Sequence, residues 1–325
     1  MILSMICSRP SRIPLRHKES TMENVFEDVR GMIGNTPILK INHMGVKPGV
    51  NVYAKLELMN PAGSVKDRVG VYMIDDAKKR GILKEGGTIV DATAGNTGIG
   101  IAIAALNQGF HVIFTVPEKF SIEKQKVMKA LGAEIVHTSR EEGMLGAERK
   151  AEEILKTIDG AVSLRQFRNP ANPLAHYETT GPEIYSQLDG KIDYFVAGAG
   201  SGGTFSGVVK YLKEQNTEIT GVLADPYGST IGGGEHFDYN IEGIGNDFIA
   251  DTMDITLVDK VIKITDDEAF EASRSLALHE GILAGSSSGA ALAAALKLAE
   301  EIEEGNIVTV FPDRGDRYLS KGLFD

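Results

Sequence analysis

Residues Thr88-Ile89-Val90-Asp91-Ala92-Thr93-Ala94-Gly95-Asn96-Thr97-Gly98 hold one complete structural transition. Thr88 to Asp91 is apolar and β-prone, as a short buried strand requires. Ala92 to Gly98 is a run of small and hydroxyl-bearing residues, too poor in bulk to continue the strand. Ile99 to Gln108 is rich in Ala and Ile and reads as a helix, stopped by Gly109. A strand that turns through a short loop directly into a helix is half of a βαβ unit.

The same alternation continues on both sides. Downstream, His111–Val116 and Glu134–His137 read as strands. Ser121–Leu131, with Ser121 as N-cap, and Gly143–Ile158 read as helices. Farther on, strand Tyr194–Ala197 enters Gly198–Thr204 and helix Phe205–Gln215. Strands Thr220–Ala224 and Asp259–Ile264 precede helix Asp266–Glu280, capped by Thr265. Gly285–Gly289 leads into an Ala/Leu-rich helix to Glu304, and Asn306–Phe311 is the last strand. Upstream, Ile38–Ile41 and Asn51–Leu58 read as half-buried strands around a Gly45–Gly49 turn, and Asn24–Arg30 as a short amphipathic helix. Ser163–Phe167 reads as a strand, Arg168–Pro173 as a loop, and His176–Ser186 as a helix. Gly228–Gly245 reads as mobile loop, and Pro312–Arg317 as loop. The pattern predicts an α/β protein with parallel sheets covered on both faces.

Composition narrows the partners. The chain has 325 residues, 42% hydrophobic, which gives room for two domains. A net charge of -11 argues against nucleic acid and against an anionic membrane surface. No apolar run is long enough to span a bilayer. Cys7 is the sole cysteine, so neither an intrachain disulfide nor a cysteine-based metal site is expected, and a cytoplasmic setting fits. Residues 1–21 are basic and unlike the rest, and are expected to be a disordered extension.

Four loops carry chemistry. In Asn60-Pro61-Ala62-Gly63-Ser64-Val65-Lys66-Asp67-Arg68, a lysine stands at the start of a helix running to Arg80. The positive end of the helix dipole disfavours its ammonium form, and a depressed pKa suits an amine that forms a Schiff base. Gly198-Ala199-Gly200-Ser201-Gly202-Gly203-Thr204 offers bare backbone N–H groups at a helix start, which is a phosphate cradle. It lacks a Walker lysine, which argues against a nucleoside triphosphate. Thr93–Thr97 offers N–H and O–H donors to a carboxylate, and Gly285–Gly289 offers serine hydroxyls. Each alone reads as well as a surface lysine, a packing turn or an N-cap. Together, a Schiff-base lysine and a phosphate cradle point to pyridoxal phosphate.

The chain resembles the cysteine synthase/cystathionine β-synthase family of fold type II pyridoxal-phosphate enzymes, from about Gly31 to the C-terminus. The resemblance rests on Gly34–Pro37, Asn60–Arg68, Thr93 with Gly95–Gly98, Gln166-Phe167 with Asn169-Pro170, Gly200–Thr204 and Gly285–Gly289. It implies two three-layer αβα domains of the tryptophan synthase β type. The large cofactor-binding domain would comprise residues 22–60 plus 165–325, and a small mobile substrate-binding domain residues 61–164. It implies that Lys66 is catalytic and carries the cofactor. Gly200, Ser201, Gly202, Gly203 and Thr204 would hold the phosphate, Asn96 the ring hydroxyl and Ser287 the pyridine nitrogen. Thr93, Ala94, Gly95, Thr97 and Gln166 would bind the substrate carboxylate. No metal is implied, and a homodimer acting on small amino acids and thiols is.

A neutral serine hydroxyl at the pyridine nitrogen makes the ring a weaker electron sink than a carboxylate would. That favours β-elimination and replacement, through an aminoacrylate intermediate, over transamination. Within the family, Ala94 stands where cysteine synthases usually have Ser. Asp225–Ser229 and Ile241–Phe248 look like cystathionine-forming members. The expected reaction joins O-acetylserine, or serine, to homocysteine; the alternative is a sulfide-using cysteine synthase. The tandem regulatory domain and haem-binding Cys/His pair of longer cystathionine synthases are not expected. A serine/threonine dehydratase is disfavoured by Gln166-Phe167, and a non-catalytic binding protein by Lys66.

Overall fold

The computed structural model describes residues 25–118 and 121–325. The expectations for residues 1–21 and for Asn24 lie outside them. Nine strands form two sheets among the described residues. The larger contains β1 (Ile38–Ile41), β2 (Val50–Lys55), β6 (Tyr194–Gly198), β7 (Thr220–Pro226), β8 (Lys260–Ile264) and β9 (Gly305–Val310), in the order β1-β2-β9-β6-β7-β8. Only β1 runs antiparallel to its neighbour. The smaller sheet is parallel and orders β3 (Thr88–Ala92), β4 (His111–Pro117) and β5 (Glu134–Thr138) in sequence. This is the expected α/β architecture with mainly parallel sheets.

The sheet order places the functional loops. β2, β9 and β6 are parallel neighbours, so their carboxyl ends open on one edge. The Lys66 segment follows β2, Pro312 follows β9, and the Gly200 turn follows β6. Ligands in open parallel sheets bind in the crevice outside those ends.

Helices cover the sheets. α1 (Lys66–Lys79), α2 (Asn96–Ala105), α3 (Ile122–Ala130) and α4 (Gly143–Thr157) surround or flank the small sheet. Val69, Met73 and Ile74 of α1 pack with Ile99 and Ile101 of α2 and with Ile89 and Phe114 of the sheet. α1 and α2 cross so closely that a Cβ on Gly70 would overlap the Gly100 carbonyl, and one on Gly100 the Lys66 carbonyl. α7 (Gly203–Gln215), α8 (Asp266–Glu280) and α9 (Ser286–Glu301) flank the large sheet. α9 is buried along most of its length, and its alanines let it lie against β2, β6, β7 and β9. Ser121 caps α3 as expected, and Thr265 with Glu268 completes a capping box on α8.

Four local expectations change. The expected amphipathic helix before Arg30 is replaced by a 3₁₀ turn, Val29–Met32, because the Asp28 carboxylate accepts the Gly31 N–H. Ser163–Phe167 makes no strand. Only Val162 bridges Ile89, and Arg165 sits at φ 51° in the left-handed region. The stretch expected to be loop to Pro173 is helical from α5 (Ala171–Ala175), which continues through a π turn (His176–Thr180) into α6 (Gly181–Gln187). Pro173 is tolerated because it falls in a first turn, where no intrahelical N–H is needed. The expected loop after Pro312 becomes a 3₁₀ helix at Gly315–Lys321. Gly228–Gly245 is irregular but tied down. The Gly245 N–H donates to the Ala199 carbonyl at 2.7 Å, and the Thr230 N–H to the Asn246 carbonyl at 2.9 Å.

Candidate active site

Lys66 is the first residue of α1. It shares a pocket with Gly200, Ser201, Gly202 and Thr204, walled by Gly243, Ile244, Val310 and Pro312. Among the described residues its Nζ has no hydrogen-bond partner. Burial lowers its pKa, opposed by the negative charge of Asp313. Desolvation is thus the main source of the depression expected from the helix start. An amine held this way is available as a nucleophile or base.

The Gly200–Thr204 turn is a cradle that side chains would spoil. Gly202 sits at φ 77° with Met253 behind it, and a Cβ on Gly200 would overlap the Gly243 carbonyl. The Asn246 side-chain amide donates to the Gly200 carbonyl at 2.7 Å, and the Thr252 hydroxyl to the Ser201 carbonyl at 2.5 Å. The carbonyls therefore face the protein. The N–H groups opening α7, with the Ser201 and Thr204 hydroxyls, make a donor set suited to a phosphate monoester. This donor set, in one pocket with an unpartnered lysine amine, fits pyridoxal phosphate: Lys66 would take its aldehyde carbon and Gly200–Thr204 its phosphate.

The other expected residues lie around this pocket and not on its wall. Asn96 begins α2. Its Nδ2 donates to Asp313 Oδ2 at 2.6 Å, and its Oδ1 accepts from Arg317 Nη1 at 2.6 Å. Ser287 is buried near the head of α9, with Oγ toward Gly243. Thr97 donates to Gln166 Oε1 at 2.5 Å, which brings the two carboxylate-loop candidates together across the fold. Thr93 is buried, with its N–H donating to Thr115. Ala94 and Gly95 are half-buried, and Gly95 has open space where a Cβ would lie.

Sequence reasoning missed several residues. Asp313 is buried and joins three loops: its carboxylate accepts from Asn96 and from the Tyr318 hydroxyl at 2.5 Å, its backbone bridges Ser64, and its carbonyl accepts from Gly285. Burial raises its pKa, opposed by those hydrogen bonds. His176 lies behind the cradle, its Nδ1 2.9 Å from Thr180 Oγ1 and its Nε2 3.2 Å from Thr204 Oγ1. Burial, with the charge of Lys66, pushes its imidazole down to about 3, so it is neutral at ordinary pH. Its π turn is a signal of functional geometry, but it is invisible in composition. Arg68, two residues after Lys66, is buried and forks onto Glu57 at 2.8 Å and Glu183 at 2.6 Å. Burial alone would raise the Glu57 carboxyl, but Arg68 holds it down to about 2. Fully buried Lys55 donates to the Thr36 carbonyl at 2.6 Å and pairs with Glu183 at 2.7 Å. This network anchors the Gly34–Pro37 turn to the base of α1. Lys124 of α3 pairs with Glu242 at 3.0 Å, linking the small-sheet side to the wall of the pocket.

A family model described as pyridoxal-phosphate dependent enzyme matches residues 29–313. An O-acetylserine dependent cystathionine β-synthase of Bacillus subtilis is 51% identical over 93% of this chain and 98% of its own. Cysteine synthase A of Escherichia coli K12 is 46% identical over 93% and 97%. Among solved structures, an O-acetylserine dependent cystathionine β-synthase from Helicobacter pylori superimposes with a TM-score of 0.88 at 44% identity. That match covers 93% of this chain and 99% of that one.

Proposed function

Because this chain belongs to the family of pyridoxal-phosphate dependent enzymes, we propose that it joins the three-carbon unit of O-acetylserine to the thiol of homocysteine, forming cystathionine. The coarser statement is secure: it is a pyridoxal-phosphate enzyme of the cysteine synthase and cystathionine β-synthase group, acting by β-replacement. The observation that carries the reading is the single pocket shared by Lys66 and the Gly200–Thr204 cradle.

The bound cofactor supplies an electron sink that makes an amino acid's Cα–H acidic and lets a Cβ substituent leave. The chain's own residues do the rest. Lys66 would hold the cofactor through Nζ, and its free amine would take the Cα proton and later return it, a role its lowered pKa allows. Acetate leaves Cβ, and the thiolate sulfur forms the new C–S bond there. Gly200–Thr204 would hold the phosphate and fix the cofactor's position. Asn96 and Ser287 would address the ring hydroxyl and ring nitrogen. Thr93, Ala94, Gly95, Thr97 and Gln166 would receive the substrate carboxylate. Residues 61–164 act as a small mobile domain against 22–60 plus 165–325, and closure of the Thr93 loop over the amino acid excludes water.

Homocysteine as the thiol is supported by the 51% identity to a cystathionine-forming relative and by Ala94, Asp225–Ser229 and Glu242. The second reading, sulfide as the thiol, is favoured by the 46% identity to cysteine synthase A. A competition assay separates them: O-acetylserine is supplied with equal sulfide and homocysteine, and cystathionine and cysteine are quantified. Cystathionine should dominate; mostly cysteine would replace the first reading with the second. We place the enzyme in the cytoplasm as a homodimer.

A further inference from the structure

Asn172 lies in the first turn of α5 and is fully buried. Its Nδ2 donates to the Gln166 carbonyl at 2.8 Å and to Ser201 Oγ at 2.9 Å. A backbone carbonyl can only accept, so the amide orientation is fixed by chemistry: the NH₂ end faces both partners. Ser201 Oγ therefore accepts from Asn172, and its own proton is left for the pocket it lines. The opposite end, Oδ1, has no partner and lies against the α-carbon side of Gly203. The Gln166 held by this bond also accepts from Thr97, so an unbroken run of contacts joins Ser201, Asn172, Gln166 and Thr97.

We propose that Asn172 is a positioning residue that aims the Ser201 hydroxyl at the cofactor phosphate and holds Gln166 against the Thr97 loop. Occupation of the phosphate cradle and binding of the amino acid carboxylate are thereby coupled. This rests on the assignments of the Gly200–Thr204 and Thr93–Thr97 loops made above. Because the two sites share one amide group, the coupling is reciprocal. Loss of the amide orphans Ser201 and Gln166 together.

The test uses holoenzyme and two ligands: pyridoxal phosphate, and L-methionine, an amino acid with no leaving group at Cβ. Wild type, Asn172→Ala, Ser201→Ala and the double variant are compared. Asn172→Ala should weaken the cofactor about 10-fold, the size of one lost buried hydrogen bond. It should weaken L-methionine at saturating cofactor by a similar factor, read from cofactor absorbance. The double variant should bind cofactor no worse than the weaker single one. The change in the bound cofactor's ³¹P chemical shift on adding L-methionine should shrink. If Asn172→Ala does not fold, Asn172→Asp serves. It keeps the shape but sets a carboxylate oxygen against the Gln166 carbonyl and captures the Ser201 proton, so both affinities should fall further. A lower Tm with both affinities within about twofold of wild type would overturn the proposal, as would strict additivity in the double variant. If Ser201→Ala alone leaves cofactor affinity unchanged, the phosphate-cradle assignment fails and this inference goes with it. If Ser201→Ala weakens the cofactor and Asn172→Ala does not, only this inference fails.

Discussion

The turn after β6 and the turn after β3 have the same grammar, a strand, small residues and a helix, yet they are packed differently. In the first, Gly200 abuts the Gly243 carbonyl, Gly202 abuts Met253, and Gly203 abuts Asn172. Every glycine there is small because protein fills the space behind it. In the second, Gly95 faces open space, and Ala94, Gly95 and Asn96 are only half-buried. The difference teaches that one turn is packed in place from behind, while the other has open space beside it. A preset anion cradle costs no ordering when it binds; a closing loop spends some, and gains exclusion of water.

The comparison can be broken by substitution. The largest effect belongs to Lys66, which lines one pocket with the Gly200 turn. Lys66→Ala should lower turnover by about 10² to 10⁴, measured as product formed from O-acetylserine and thiol. Turnover within tenfold of wild type would remove it from the chemistry. Next is the scaffold on the packed side. Arg68→Met strands the buried Glu57 carboxylate, while Glu183 keeps Lys55, and should cost about 3–5 kcal/mol of stability, measured by denaturant unfolding of the holoenzyme. A cost below about 1 kcal/mol would make the network ornamental.

The sharpest pair comes third. Gly202→Ala, at φ 77° with Met253 behind, should cost about 1–3 kcal/mol and weaken the cofactor. Gly95→Ala should stay within about 0.5 kcal/mol and alter only amino acid affinity. Equal losses in the two variants would erase the distinction between preset and closing turns. Asn96→Ala follows. It should slow closure and chemistry, lowering turnover by about 10-fold, with cofactor still bound.

The smallest effect is a pH slope. His176 binds its proton near 3 in the folded chain, against 6.5 for the free side chain. Between those values the unfolded chain holds more protons, so stability from this group is complete above about pH 6.5 and lost as pH falls toward 3. The unfolding free energy advantage of wild type over His176→Gln, measured by denaturant titration, should shrink from pH 7 to pH 5, at no more than about 1.4 kcal/mol per pH unit. A difference independent of pH would mean that the imidazole is not buried neutral behind Thr204.

What could be read from the sequence follows the same line. Lys66, the Gly200 turn and the Thr93 turn were legible because small residues between a strand and a helix leave a local mark. So were the nine strands of the two sheets among the described residues, although Ser163–Phe167 also read as a strand and forms none. Asn172, His176 and Asp313 were not, because their roles are made by contacts across the fold. Asn172 sits in Asn169-Pro170-Ala171-Asn172-Pro173, whose composition says loop, and it is helical only because Pro170 and Pro173 occupy positions that need no N–H donor. His176 has no neighbour in sequence that betrays Thr204. Asp313 follows a strand with no glycine run to mark it.

The contact between Gly70 and Gly100 has a consequence for how such an enzyme can change over generations. Lys66 and Asn96 ride on helices whose backbones touch at that point, so their spacing is not adjustable by trial. Even alanine at either glycine would push the two helix starts apart, and Lys66 away from Asn96. Changes near these helix starts are therefore left to side chains outside this contact, while the glycine pair is held by its own packing.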